Sequence, residues 1–496
     1  MDTNIAYGLM LVTLGFFGYI GYQAATKKEL NADEYHSARG TQNWLRIGLS
    51  LFASGMGIWI LFGPSEVGYW GGFWDVVGYA VSAATPFLLL AYVGPKIRRR
   101  LPEGVTLADY VRMQIGRPMQ IYVGIISVVY MFTFLFAEFT AIGKAMNVLS
   151  DMEPLIPMIA VGIVTAAYTA YGGLPASLQT DRFQAWVVLW LIIALFLVLF
   201  GGDLSSLISD AKAYNPEGDE NWSIGSMSYM DSFKSGLALV VAITAAEMFS
   251  QGNWQRAWAS EDEEALKKGS LLAAGMVLPL VFIMGVLGTV AAAKGTADDP
   301  SAAFFVLLED AHALILAGFI ILGIALVCSS VDTLQNAVSA SITRDLSDGK
   351  MELKHARIAT VTMIPIAIYL ATGPTIGSFT FNAASVFGIF LFADLLAAAT
   401  VLPVLLTLWD RIDSRASLAG AVCGLLSVVV YGIYTADLST GIGYLTSPTN
   451  DVGLANLEVF LSALIGSGLV TIIFSEILSN GTKEKPPTED SEFESE

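Results

Sequence analysis

Leu51-Phe52-Ala53-Ser54-Gly55-Met56-Gly57-Ile58-Trp59 lies in the middle of an apolar segment, residues 46–70, that is long enough to cross a bilayer. Glycine lets a helix unwind, and unwound backbone survives at membrane depth only where it is buried in protein or lines a cavity. A second apolar segment, 232–253, carries Ser250-Gln251-Gly252-Asn253 near its end. Two interrupted spans five helices apart are the pattern of an inverted repeat, in which such breaks hold solute and coupling ions near the midplane. The competing explanation is that Gly55 and Gly57 serve close helix packing.

The whole chain fits that setting. Of its 496 residues 54% are hydrophobic and 14% charged, against about 25% charged in soluble domains. Apolar stretches predict thirteen spans, at roughly 4–23, 46–70, 73–95, 119–146, 155–171, 183–201, 232–253, 269–293, 313–342, 356–372, 380–409, 417–435 and 457–478. The first run, Ile5–Tyr22, has an acid before it and a Lys pair after it, so it reads as a retained helix and not a secretory leader. With the N-terminus outside, 22 of the 26 Lys and Arg fall on the cytoplasmic side, as the positive-inside rule requires. Loops 202–231 and 294–312 are acidic, and the tail 479–496 is too polar to pack and reads as a disordered cytoplasmic end. A net charge of −18 argues against a nucleic-acid partner; the surrounding partner is the lipid bilayer. Cys328 and Cys423 both lie in apolar segments, which indicates neither a disulfide framework nor a metal site.

Acids inside spans are costly, about 2.5–3.5 kcal/mol at the bilayer centre on insertion scales, and tend to be functional. They are Glu138, Asp181, Glu247, Asp332 and Asp394. None of His36, His312 and His355 lies in mid-membrane, and no nucleophile has a plausible base, so neither a histidine proton relay nor an enzyme is indicated. The ninth span reads Val327-Cys328-Ser329-Ser330-Val331-Asp332-Thr333, and helical spacing puts positions 326, 329, 330 and 333 on one face. Hydroxyls beside a backbone carbonyl suit a hard cation such as Na+, which takes oxygen ligands. Alternatively the serines bond their own helix backbone. Asp181, likewise, reads either as a site residue or as the N-cap of span 183–201.

Three motifs then carry a family resemblance. Tyr168-Thr169-Ala170-Tyr171-Gly172-Gly173-Leu174 with Ala176, Thr180-Asp181 and Gln184 resembles the signature of the sodium:solute symporter family. Asp33-Glu34-Tyr35 with Ala38-Arg39-Gly40, and Ser329-Ser330 followed by Thr343-Arg344-Asp345-Leu346, resemble it too, in family order across about residues 30–435. The resemblance implies an all-α polytopic membrane protein of about thirteen transmembrane helices. Its core would be a five-plus-five inverted repeat of the leucine-transporter type. The segments would be an extra N-terminal helix (1–30), repeats at 46–201 and 232–409, two C-terminal helices (417–478) and the tail (479–496).

Carried over residue by residue, the resemblance implies a Na+ site of the carbonyls of Ala53, Met56 and Leu326 and the hydroxyls of Ser329 and Ser330. It implies a second cation site at Asp181, Asp332 and Thr333, where this chain departs by offering two carboxylates. Solute contacts are expected from Phe52, Gly55, Trp59, Tyr79, Glu247, Gln251 and Trp254. The stretches 253–260, 101–110 and 394–404 resemble the urea-transporting branch, which implies urea or another small polar solute. The expected function is Na+-coupled uptake by alternating access across the plasma membrane, with no cofactor beyond the coupling ion. The alternatives are a passive channel or uniporter for the same solute, H+ in place of Na+, and a membrane sensor.

Overall fold

The computed structural model describes all residues except 28–29, 201–208, 210–227, 295–299, 349, 377–378, 381–385, 410–411, 452 and 480–496. The tail and most of the acidic loop 202–231 therefore lie outside the described residues. Among the described residues nine helices are long and apolar enough to cross a membrane, and two bent pairs raise that to 11. The longest of the nine holds two of the expected spans, and a further expected span is a helix that opens on Lys354, His355 and Arg357.

Helix α1 (Thr3–Ala25) starts at Asp2, whose side chain accepts from the amides of Asn4 and Ile5. The short α2 (Ala32–Ser37) is fixed by a capping box between Asn31 and Glu34. The first broken span is α3 (Trp44–Gly55), a 3-10 turn over Ile58–Leu61, and α4 (Gly63–Gly71), bent by 58°. It is followed by α5 (Phe73–Arg100), α6 (Leu107–Ile115), α7 (Arg117–Ser150) and α8 (Leu155–Phe200). The second broken span, α9 (Met230–Glu247) and α10 (Gln251–Ala259), is also bent by 58°. Then come α11 (Glu263–Lys294), α12 (Ala313–Ala340), α13 (Leu353–Ala371) and α14 (Val386–Leu405). The periphery is closed by α15 (Ser414–Thr435), α16 (Leu438–Thr446) and α17 (Leu457–Ser479).

Three expected boundaries shift. The break in the seventh span sits at 248–250, and the helix resumes and runs to Ala259, so Arg256 is a residue of the span and not of a cytoplasmic loop. The sixth span begins at Leu174, because Gly173 (φ 52°, ψ −148°) interrupts α8 and only a residue without Cβ fits against the Tyr35 carbonyl there. Asp181 is thus mid-helix and caps nothing. The eleventh span, expected from 380, begins after that residue, because Thr380 pairs antiparallel with Thr375 beyond the Gly373 (φ 76°) and Pro374 that end α13, and its described helix runs from Val386.

Helices in a bilayer associate through close packing, so small residues mark their crossings. Where α4 meets α11, a Cβ on Gly68 would overlap the Gly285 carbonyl and one on Gly288 the Ser65 carbonyl. The Thr289 hydroxyl donates to the Gly68 carbonyl (2.6 Å) across the same crossing. Gly288→Val is therefore expected to separate these backbones and abolish a monodisperse peak in detergent size-exclusion chromatography. Gly275→Ala, on open space of the same helix, should leave that peak unchanged.

Candidate functional site

The break after Gly55 frees backbone groups in the interior, and each needs a partner. Carbonyls of the last turn of α3, Ala53 among them, lack the donor that a continuing helix would provide. The amides that open the second half are taken by one side chain. Glu138 of α7 accepts from Ile58 N (3.0 Å) and Trp59 N (3.3 Å). Its carboxylate presses so closely on Gly57 that any Cβ there would collide with it. Trp59 in turn donates its indole N–H to the Gly55 carbonyl (3.2 Å).

Every residue of α12 from Leu322 to Ala340 is buried, so its polar side chains must find partners inside the protein. Ser330 donates to Glu138 (2.5 Å) and also approaches the Leu326 carbonyl (3.2 Å). Ser329 donates to Asp181 Oδ1 (2.6 Å). Asp332 accepts from Tyr168 (2.6 Å), Ser177 (2.6 Å) and Thr180 (3.1 Å). The expected Na+ ligands on α12 thus face α3 and the acids of α7 and α8. Glu138, noted in the sequence only as an intramembrane acid, joins them because α7 passes the break.

A guanidinium occupies the neighbouring space. Arg256, fully buried on α10, pairs with Asp181 (2.7 Å) and donates to Ser50 (2.7 Å), Thr333 (2.8 Å) and the Gly252 carbonyl (2.9 Å). Two of the three residues expected to form a second cation site, Asp181 and Thr333, are therefore bound to a cation of the chain itself, and the third, Asp332, is surrounded by hydroxyls. The sequence shows Arg256 only as one more basic residue near a span end, which is why it was not expected here.

A narrow cavity opens beside the first break. Gly55, Trp59, Tyr79 and Glu247, four of the seven residues expected to contact solute, line it together with Met56, Phe87, Phe134, Phe387, Phe390 and Asp394. Glu247 accepts from Tyr130 (2.7 Å) and Asn253 (2.9 Å). Phe52, Gln251 and Trp254 are not in its lining. Gln251 accepts from Leu107 N (2.8 Å) and donates to Ser127 (2.9 Å), and Trp254 donates to the Met248 carbonyl (2.7 Å). Those two side chains brace the second break, and Phe52 is buried in the helix core.

At the Lys- and Arg-rich end, the sequence motifs meet one another. Tyr35 donates to the Thr169 carbonyl (3.0 Å). Arg39 bonds Asp33 (3.0 Å) and the carbonyls of Pro102 (2.6 Å) and Gly104 (3.0 Å). Arg344 lies near Asp33 (3.7 Å) and Asp109 (3.5 Å), Arg112 pairs with Asp348, and Thr106 donates to Asp345 (2.6 Å). These contacts join the segments around residues 33–39, 102–112 and 344–348 into one polar seam.

A profile of the sodium:solute symporter family matches residues 35–424. A spermidine transporter of Candida albicans is 29% identical over 441 residues, covering 86% of this chain and 79% of its own. A sodium/proline symporter of Staphylococcus saprophyticus is 23% identical over 477 residues, 88% of either chain. The solved structure of a Na+-coupled sialic acid symporter, in its substrate-bound outward-open state, superposes with a TM-score of 0.75 at 13% identity, over 95% of this chain and 97% of that one. The fold is thus an all-α polytopic membrane protein with a five-plus-five inverted-repeat core.

His36 gives the seam a pH signature. Burial, and next the charge of Arg344, push its pKa down to about 3 against the opposing charge of Asp33. The folded protein keeps it neutral, whereas an unfolded chain protonates it below about 6.5. Its contribution is complete above that pH and falls by about 1.4 kcal/mol per unit of acidification toward 3. Between pH 7.5 and 5.0 the thermal midpoint should fall less in His36→Gln than in the wild type; equal falls would refute the assignment.

Proposed function

This chain belongs to the sodium:solute symporter family, and on that premise we propose that it carries one Na+ and one small nitrogen-bearing solute inward per cycle by alternating access. Family membership supports Na+-coupled symport and a transporter's role in place of an enzyme's. The ion sits in our reading where α3 ends against α12, on the carbonyls of Ala53, Met56 and Leu326 and the hydroxyls of Ser329 and Ser330. The observation that carries this is the end of α3 at Gly55, opposite two buried serines whose hydroxyls already reach acids of α7 and α8. Glu138 adds a carboxylate next to Ser330. Because Arg256 already holds Asp181 and Thr333, we assign a single coupling ion, with the guanidinium as the fixed charge of the neighbouring site.

The solute would lie against Gly55, Trp59, Tyr79 and Glu247 at the break. Short matches to the urea-transporting branch point to urea, while the relatives named above carry spermidine and proline; the common denominator is a small polar nitrogen compound. We place the protein in the plasma membrane with its N-terminus outside and C-terminus in the cytoplasm, an orientation supported by the sorting of basic residues. The polar seam of Asp33, Arg39, Asp109 and Arg344 is then the cytoplasmic gate. Repeats 46–201 and 232–409 would rock against each other, flanked by helices 1–30 and 417–478.

One Na+ crossing about 100 mV contributes about 2.3 kcal/mol, and a tenfold gradient adds about 1.4 kcal/mol. Together they support accumulation of a neutral solute by several hundredfold. Proteoliposomes with an inward Na+ gradient should concentrate solute, hyperbolically in sodium, and lose accumulation when the gradient is collapsed. Equilibration without accumulation would make the protein a uniporter, a sigmoidal sodium curve would refute the single ion, and drive by a proton gradient alone would refute Na+ coupling. Ser329→Ala with Ser330→Ala should raise half-saturating sodium by roughly tenfold or more; unchanged sodium dependence would remove these serines from the site.

A further inference from the structure

A half-helix that begins at membrane depth offers free amides to an anion, and transporters with broken helices use this to hold a substrate carboxylate. Here that place is taken. The opening amides of Ile58 and Trp59 both donate to Glu138, and Ser330 donates to the same carboxylate. Gly57 leaves the room for it. An incoming carboxylate would find the amides of Ile58 and Trp59 already engaged by another carboxylate.

The cavity beside the break is built for the opposite charge. Two carboxylates, Glu247 and Asp394, line it, and among the described residues no basic side chain does. Asp394 is 2% exposed and shares that lining with Glu247. Two carboxylates in one buried cavity disfavour each other's charge, and a cationic ligand would offset that cost. The walls are aromatic: Trp59 lies 5.9 Å from Tyr79, Tyr79 6.1 Å from Phe387, and Phe134 stacks on Phe390 at 4.2 Å. Aromatic faces attract cations and receive methylene chains. Urea fits less well, because its carbonyl needs a donor. The Trp59 N–H is committed to Gly55, which leaves the Tyr79 hydroxyl as the side-chain donor of the lining.

We propose that the central cavity takes an organic ammonium ion, its nitrogen between Glu247 and Asp394 and its carbon chain along the aromatic walls, and that it turns away carboxylate-bearing solutes. The proposal rests on the symport reading above and narrows its solute to alkylammonium compounds, short diamines and polyamines included.

The test uses the full-length protein with putrescine, spermidine, urea and proline as probes. Thermal stabilisation of the detergent-purified protein reads binding, and radiolabelled uptake into proteoliposomes with and without a Na+ gradient reads transport. Putrescine or spermidine should bind and be taken up, and proline should not. Asp394→Asn should raise the KM for the amine by on the order of 30-fold, the loss expected of a buried charge pair, while sodium still stabilises the protein. Glu247→Gln provides the second variant should the first not fold. Stabilisation and uptake by urea or proline but not by either amine, or amine KM unchanged in both variants, would overturn the proposal and leave symport standing. Amine uptake that ignores the sodium gradient would instead uphold the ligand class and refute symport.

Discussion

A guanidinium in the interior of a membrane protein persists only if several neighbours hold it, and Arg256 is held by residues of α3, α8 and α12 as well as by its own helix. Breaking such a pair by removing one partner typically costs about 3–5 kcal/mol, since the remaining charge stays buried. The constraint acts in both directions. Asp181 can sit in mid-helix, and Ser50 and Thr333 can face the protein centre, because one cation engages all of them. The second half of one broken span is thereby tied to the first half of the other.

The two breaks obey the same accounting of polar groups. At the first, Glu138 receives the amides of Ile58 and Trp59, and Trp59 returns a bond to Gly55. At the second, Trp254 bonds the Met248 carbonyl and Gln251 reaches α6 and α7. Each break is irregular backbone whose polar groups are met by side chains of its own and neighbouring helices. A Na+ at the proposed site would share its oxygens with contacts that side chains already make. The serines of α12 illustrate it: their hydroxyls face acids in this structure, and an ion at the end of α3 would compete for the same oxygens.

Much of the fold was legible because its signals are local. Apolar runs long enough for a bilayer, glycines inside them and the one-sided distribution of Lys and Arg are properties of short windows. So are the motifs around Tyr35, Gly173 and Arg344. What they do was not legible: Tyr35 meets Thr169 and Gly173, and Arg344 approaches Asp33, across more than a hundred residues of chain. The same limit holds for Gln251 and Trp254, expected as solute contacts beside a break, whose hydrogen bonds to Leu107, Ser127 and the Met248 carbonyl only the fold displays. It also hid Arg256, counted from its neighbours as a loop residue although the helix continues past it to Ala259.

By itself the sequence determined that the chain is a many-span membrane protein with two interrupted helices, because hydrophobic length and glycine placement act residue by residue along the chain. It also supplied the acids that had to matter, since a carboxylate in a span is unstable without a purpose. Only the tertiary structure decided which purpose each has. Glu138 fills a helix break, Asp181 pairs with Arg256, Asp332 is enclosed by hydroxyls, and Glu247 and Asp394 face the cavity. The physical reason is that an acid's role is fixed by the charge and donors brought against it, and those come from helices whose distance in sequence says nothing of their distance in space.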